Sequence, residues 1–122
     1  MDDVVIVGPC AAGKSTLARA LGEQGYHAHL IAQEHSGVRD LWRRHQARAL
    51  IYLDVDIDQV HRRGRPNFPD WLHQQQKDRL REARAAASCY VNTAPLSIPD
   101  VLDQVLKFLA AANIRPSRRR AP

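Results

Sequence analysis

The sequence contains little cysteine, few aromatic residues and no long apolar segment. Two cysteines among 122 residues are too few for a disulfide-stabilised scaffold. No apolar run approaches the roughly 20 residues of a membrane-spanning helix, and the N-terminus lacks a signal-peptide pattern. Aromatic residues make up 6% of the chain and do not alternate with basic ones, which argues against a specific nucleic-acid surface. We therefore expect one cytoplasmic globular domain, with neither a membrane nor a specific nucleic acid as partner.

Positive charge is concentrated at the C-terminus. The formal net charge is +5, and it falls to +1 without the four arginines at positions 115, 118, 119 and 120. The closing stretch IRPSRRRAP combines these arginines with proline, which favours disorder. We predict a folded domain over residues 1–113 and a disordered basic tail over residues 114–122. A non-specific contact of this tail with RNA or acidic lipid remains an alternative.

Apolar segments alternate with amphipathic ones along the chain. Strands are predicted over residues 4–7, 26–32, 49–55 and 88–93. Helices are predicted from residue 14, after Ser36, from an Asp56–Gln59 capping box to about Gly64, over residues 69–87, and from Ser97. This alternation predicts the α/β class, with a short, mainly parallel four-stranded sheet and helices on both faces.

The pattern Gly8-x-x-x-x-Gly13-Lys14-Ser15 follows the first predicted strand and opens the first predicted helix. In that context it predicts a phosphate-binding loop, with ATP and Mg²⁺ as cofactors. Lys14 would reach the β- and γ-phosphates, and the Ser15 hydroxyl would complete the Mg²⁺ shell. The residues expected at the phosphates are Gly8, Cys10, Ala11, Ala12, Gly13, Lys14, Ser15 and Thr16, mostly through backbone N–H groups. The alternative is a glycine-rich turn with a chance lysine. We interpret Cys10 as a small tolerated residue rather than a redox switch.

A carboxylate for the metal is expected beyond the carboxyl ends of the strands, where parallel sheets bind ligands. If the first strand is central and the second is its neighbour, Glu34 lies beside Lys14 and Ser15. We predict that Glu34, rather than Asp54, holds Mg²⁺ together with Ser15 or activates an acceptor hydroxyl. The alternatives for Glu34 are an exposed loop carboxylate or a helix cap. His35 is as consistent with capping or packing as with acid–base chemistry.

Beyond the loop, two further segments resemble those of known proteins. YLDVDIDQVHRRGR (52–65) resembles a strand, helix and arginine-rich lid entrance, and YVNTAPLSIPDVLDQVLKFL (90–109) resembles a closing strand and helix. Together with the loop, they make the chain similar to the nucleoside and nucleotide kinase group of P-loop proteins. The resemblance implies a three-layer α/β/α fold of the P-loop nucleoside triphosphatase type.

The same resemblance implies roles for several arginines. Arg62 or Arg63 would stack on the nucleotide base, and Arg65 would meet phosphate. Arg79 or Arg84 would be catalytic by neutralising the transferred phosphoryl group, because phosphoryl transfer depends on positioning and positive charge. The alternative is that these arginines lie on solvated helix faces, some of them paired with neighbouring acidic residues.

The chain departs from this group between its second and third strands. Only residues 33–48 lie there, where the group carries a larger acceptor-binding module and a further strand with a metal-associated aspartate. We predict a small-molecule kinase that transfers the γ-phosphoryl group of ATP to an acceptor that the sequence does not identify. The alternatives are a nucleotide-binding regulatory module or slow ATPase without an acceptor, and a basic-tailed RNA-associated protein.

Overall fold

A four-stranded sheet forms the centre of the computed structural model, which describes residues 2–117. The strands are β1 (Asp2–Val7), β2 (Ala28–Leu30), β3 (Ala47–Asp54) and β4 (Cys89–Asn92). Their order is β2-β1-β3-β4, and all three neighbouring pairs are parallel. The predicted α/β class, the four strands and the central position of β1 are therefore confirmed.

Five helices connect and cover the strands. They are α1 (Lys14–Glu23), α2 (Ile57–Arg62), α3 (Asp70–Arg79), α4 (Arg81–Ala86) and α5 (Ile98–Ala111). Residues Val4 to Val7 of β1 are at most 2% exposed, as expected for a strand covered on both faces. Val4 and Ile6 pack in the cluster that contains α1, α2 and α5, while Val5 and Val7 pack in a second cluster with Leu80. No helix within residues 2–117 is long and apolar enough to cross a membrane.

Local signals at two helix starts are confirmed by hydrogen bonds. The Asp56 side chain accepts from the Gln59 backbone N–H at 2.8 Å and caps α2. The Ser97 side chain accepts from the Asp100 backbone N–H at 3.2 Å and caps α5. Both contacts satisfy N–H groups that a helix start leaves without an intrahelical partner.

The segment between β2 and β3 differs from the predicted helix. It contains two short 3₁₀ turns, Gln33–His35 and Leu41–Arg44. The buried Gln33 amide explains this course, because its Nε2 donates to the Val38 carbonyl at 2.6 Å and its Oε1 accepts from the Trp42 N–H at 3.0 Å. These bonds from one side chain fold the segment as a loop.

The long helix predicted over residues 69–87 is also wrong in detail, since it forms α3 and α4 with a break at Leu80. The Leu80 N–H is shared between the carbonyls of Gln76 and Lys77, as at the end of a helix. Leu80 itself is completely buried beneath the sheet. Burial of this side chain fixes the position at which the chain changes direction.

The domain boundary predicted at residue 113 is too early, because residues 114–117 contact the sheet. Ile114 is buried, and its carbonyl accepts from the Tyr26 hydroxyl at 2.9 Å. The Ser117 hydroxyl donates to Asp3 Oδ2 at 2.7 Å, and Arg48 donates to Asp3 Oδ1 at 2.5 Å. Burial alone would raise the pKa of Asp3, but hydrogen bonds from His27, Ser117 and Arg48 lower it to about 2. The rest of the predicted tail, residues 118–122, lies outside the described residues.

Candidate functional site

Residues 8–13 form a tight loop between β1 and α1. An added Cβ at Gly8 would lie 2.1 Å from the Leu53 carbonyl oxygen of β3, so only glycine fits there. Gly13 has a φ of 93° and Ala11 a φ of 65°, both in the left-handed region. The loop therefore turns sharply enough to place the start of α1 directly after the strand.

The start of α1 is positively polarised and has no protein cap. Gly13 offers no side-chain cap hydrogen bond, and no acidic residue lies in the first turn. In contrast, α2 and α5 each begin with a side-chain cap, and α3 and α4, which have no such cap, each carry an acidic residue in the first turn. The first-turn N–H groups of α1 are thus available to an anion, which the helix dipole also attracts. Two loop N–H groups are not available, since Cys10 N–H donates to Gln76 Oε1 at 3.0 Å and Ala12 N–H to the Pro9 carbonyl at 3.3 Å.

Lys14 and Glu34 form a partly enclosed ion pair beside the loop. The Lys14 ammonium group donates to Glu34 Oε2 at 2.5 Å and to the carbonyls of Gly8 and Pro9 at 2.6 and 3.1 Å. Glu34 is only 4% exposed, and its Oε1 atom has no hydrogen-bond partner among the described residues 2–117. Because β2 lies next to β1, the 3₁₀ turn Gln33–His35 that comes after β2 brings Glu34 to the loop, as the sequence predicted. A buried carboxylate oxygen without a partner is a position where a cation or a donor group would be stabilised.

Two cavities meet at the loop and share residues 11–13. One has a volume of about 370 Å³ and contains Lys14, Ser15, Glu34, His35 and Arg65. The other has a volume of about 400 Å³ and a mostly apolar lining. It is bordered by Thr16, Leu17, Gln59, Arg63, Thr93, Leu96, Ser97, Ile98, Val101 and Leu102. We refer to them as the polar cavity and the apolar cavity. Their arrangement suits a ligand with a charged end and a flat apolar end.

The predicted arginines occupy different places around these cavities. Arg63 lines the apolar cavity, and its guanidinium donates to the Ala11 carbonyl at 2.6 Å and to the Thr93 carbonyl at 2.8 Å. Arg65 lines the polar cavity, and Arg79 donates to the Glu34 carbonyl at 3.2 Å.

Two of the predicted arginines lie apart from the loop. Arg62 is exposed and lines neither cavity. The Arg84 guanidinium carbon lies 5.0 Å from the centre of the Tyr90 ring and borders a separate cavity with Tyr52 and Trp71. The structure thus brings Arg63, Arg65 and Arg79 to the site and does not bring Arg62 or Arg84 there.

Asp54 lies at the end of β3 within its own set of contacts. Its Oδ1 accepts from the Val55 N–H at 2.9 Å, and its Oδ2 accepts from the Tyr90 hydroxyl at 2.5 Å. Lys77 lies 3.9 Å from Oδ1. Burial, followed by the hydrogen bond to Asp54, raises the pKa of Tyr90, so this hydroxyl remains a proton donor. Asp54 therefore ties β3 to β4.

Sequence reasoning missed the contribution of α3 to the loop. Gln76 is 1% exposed, and besides accepting from Cys10 N–H it donates through Nε2 to Cys10 Sγ at 3.1 Å. The sequence signal that could have indicated this contact is the polar character of α3, because a polar helix that packs against a loop can place an amide side chain against the loop backbone. The sequence predicts capping, packing or acid–base chemistry for His35, and the structure places its Nε2 3.7 Å from Cys10 Sγ.

No protein-family model matches the chain, and no curated protein is significantly similar to it in sequence.

Proposed function

We propose that this chain is a P-loop nucleotide-binding protein of the kinase-like type, which binds ATP with Mg²⁺ and transfers the γ-phosphoryl group to a small-molecule acceptor. The single observation that supports it best is the uncapped start of α1 beside the Lys14–Glu34 pair. The free N–H groups of a helix start and a lysine can bind the phosphate oxygens of a triphosphate, and a carboxylate can hold the Mg²⁺ that accompanies it.

Lys14 would exchange its present partners for phosphate oxygens. Its three acceptors are two loop carbonyls and one carboxylate oxygen, all within 3.1 Å. Phosphate oxygens are charged acceptors, so they can replace the carbonyls without loss of hydrogen bonds. The N–H groups at the start of α1 would hold the same phosphates from the side of the helix.

Ser15 and Glu34 would hold the Mg²⁺. Mg²⁺ prefers oxygen ligands and usually keeps several waters, so one hydroxyl and one carboxylate suffice on the protein side. Both residues border the polar cavity, and the Glu34 Oε1 atom lacks a hydrogen-bond partner. In the same position, Glu34 could accept the proton of an acceptor hydroxyl.

The nucleoside would occupy the apolar cavity. Arg63 is fixed there by the carbonyls of Ala11 and Thr93, so its planar guanidinium is ordered before a base arrives. A guanidinium plane stacks favourably on an aromatic ring. Arg65 and Arg79 would add positive charge where the transferred phosphoryl group develops negative charge. A supply of ATP and the two free cysteines fit a reducing compartment such as the cytoplasm.

The segment over residues 33–48 favours a second function, a slow ATPase or nucleotide sensor. Gln33 folds this segment back on itself through Val38 and Trp42. The polar cavity of about 370 Å³ must then accommodate the acceptor as well as the phosphates of the nucleotide. An acceptor smaller than a nucleotide fits this space best, and water would fit it as well.

Binding of ATP with Mg²⁺, measured by calorimetry, tests the proposal. Lys14→Ala should weaken binding by about 1.5–3 kcal/mol, the value of a hydrogen bond to a charged group. Lys107→Ala is the matched control, because Lys107 is exposed and pairs with Asp103 on α5, away from the loop. Equal affinity of both variants and the native chain would contradict the proposal. Phosphate release without added acceptor would then separate the ATPase from the kinase.

A further inference from the structure

Three potential metal ligands converge at the outer edge of the polar cavity. Cys10 Sγ comes from the loop, and the Glu34 carboxylate and His35 Nε2 come from the first 3₁₀ turn. All three ligand atoms lie within 4.8 Å of one another. The sulfur lies 3.7 Å from His35 Nε2, which in turn lies 3.9 Å from Glu34 Oε2.

Two of the three separations are close to those in a tetrahedral zinc site, and the third, from Cys10 Sγ to the Glu34 carboxylate, is within 4.8 Å. Zinc binds sulfur at about 2.3 Å, and nitrogen and oxygen at about 2.0–2.2 Å, so tetrahedral neighbours lie roughly 3.4–3.6 Å apart. The observed distances of 3.7 and 3.9 Å exceed these values by a few tenths of an ångström. Because His35 is exposed, its ring can move inward by this amount without displacing packed neighbours.

The surroundings of the cluster also fit a bound cation. Glu34 is buried, and its Oε2 atom, which lies 3.9 Å from His35 Nε2, already accepts from Lys14. Its Oε1 atom has no hydrogen-bond partner within residues 2–117, so this oxygen is free to bind a cation. Gln76 Nε2 donates to Cys10 Sγ at 3.1 Å and orients the sulfur from behind. A donor to a metal-bound sulfur is the kind of outer contact that positions metal ligands.

We propose that Cys10, Glu34 and His35 form a site for a thiophilic divalent cation, with Zn²⁺ as the probe that represents this class. Three protein ligands leave a fourth tetrahedral position open toward the polar cavity for water or an anionic oxygen. This site shares Glu34 with the proposed Mg²⁺ site, so the two ions would compete for that carboxylate. The remaining ligands differ, because thiolate and imidazole select zinc whereas Mg²⁺ takes oxygen ligands. Binding releases the thiol proton to solvent, since the thiolate is the ligand.

The test is a titration of the full chain with Zn²⁺ by calorimetry and with Co²⁺ by absorption, without nucleotide. We expect one ion per chain and a cobalt–thiolate charge-transfer band. Loss of an outer contact commonly weakens metal binding about 10- to 100-fold, so Cys10→Ser and His35→Gln should each weaken it at least about 100-fold. Cys10→Ser should also abolish the band.

Two matched variants serve as controls. Cys89→Ser removes the other cysteine, and His27→Gln removes an exposed histidine at the far end of β2; both should keep the affinity and the band. His35→Gln changes an exposed residue, so it tests the site even if a substitution at Cys10 prevents folding. Unchanged zinc affinity in His35→Gln, absence of the thiolate band from the native chain, or its loss in Cys89→Ser would overturn the proposal. Because no nucleotide is present, these outcomes are independent of ATP binding.

Discussion

A comparison of Glu34→Gln with Asp54→Asn distinguishes the roles of the two carboxylates at the sheet edge in stability and turnover. Each substitution keeps the shape of the side chain and removes one charge. Deleting one partner of a buried ion pair costs roughly 3–5 kcal/mol. Glu34→Gln should cost less, about 1–2 kcal/mol, because the amide oxygen can still accept from Lys14 and two loop carbonyls remain. Asp54→Asn should cost a similar amount, because the Tyr90 hydroxyl loses a charged acceptor.

Turnover should respond differently from stability. If Glu34 holds Mg²⁺ or activates the nucleophile, Glu34→Gln should lower kcat by two orders of magnitude or more, which equals about 2.7 kcal/mol of transition-state stabilisation. Asp54→Asn should keep most of its turnover. The assay is ATP turnover at saturating nucleotide, combined with thermal unfolding to confirm that both variants fold. Loss of turnover in Asp54→Asn and its retention in Glu34→Gln would contradict the assignment of the metal-binding or catalytic role to Glu34.

Three further predictions concern the scaffold that holds the site. Gly8→Ala should lower the free energy of unfolding, measured in urea, by about 3 kcal/mol, since the new Cβ would lie 2.1 Å from a backbone oxygen. Gly22→Ala in α1 is the control, because its Cβ meets nothing within 4 Å and should add about 0.5–1 kcal/mol. Equal stabilities of the two variants would be inconsistent with the clash. A variant ending at Ser117 should have the melting temperature of the full chain. A variant ending at Asn113 loses the buried Ile114, worth about 1.5–3 kcal/mol, and should melt at a clearly lower temperature. Identical melting temperatures would show that residues 114–117 do not pack on the domain. The pKa of Asp3 is about 2, below its unfolded value, so its contribution of about 2 kcal/mol to the free energy of unfolding is complete above about pH 4 and is lost as pH falls toward 2. Asp3→Asn should therefore remove this loss of stability from an acid unfolding curve. An unchanged acid unfolding curve would contradict the contribution of Asp3.

Much of the fold was predictable because its signals are local. The β-branched run of β1 and the caps at Asp56 and Ser97 are each set by a few neighbouring residues. The position of Glu34 beside Lys14 needed only the chain's alternation and the rule that ligands bind at strand ends. These features follow from short-range chemistry and from the geometry of parallel sheets.

The rest depended on contacts between distant segments. The buried residues of α3 include His73 and Gln76, both polar, so hydropathy could not show which face of this helix meets the loop. The break at Leu80 then directs Arg84 toward Tyr90 instead of the loop. Burial, followed by the positive charge of Lys77, lowers the pKa of His73, which keeps its ring neutral inside the fold. Such pairings are set by packing and leave no periodic signal in the sequence.

The most direct measurement is a crystal structure of the chain with a non-hydrolysable ATP analogue and Mg²⁺. We predict phosphate oxygens within about 3 Å of Lys14 Nζ and of the N–H groups at the start of α1. We also expect Mg²⁺ near Ser15 and Glu34, and the base against Arg63 in the apolar cavity. A nucleotide bound away from residues 8–16, or no bound nucleotide at millimolar analogue, would contradict the proposal that this chain binds ATP.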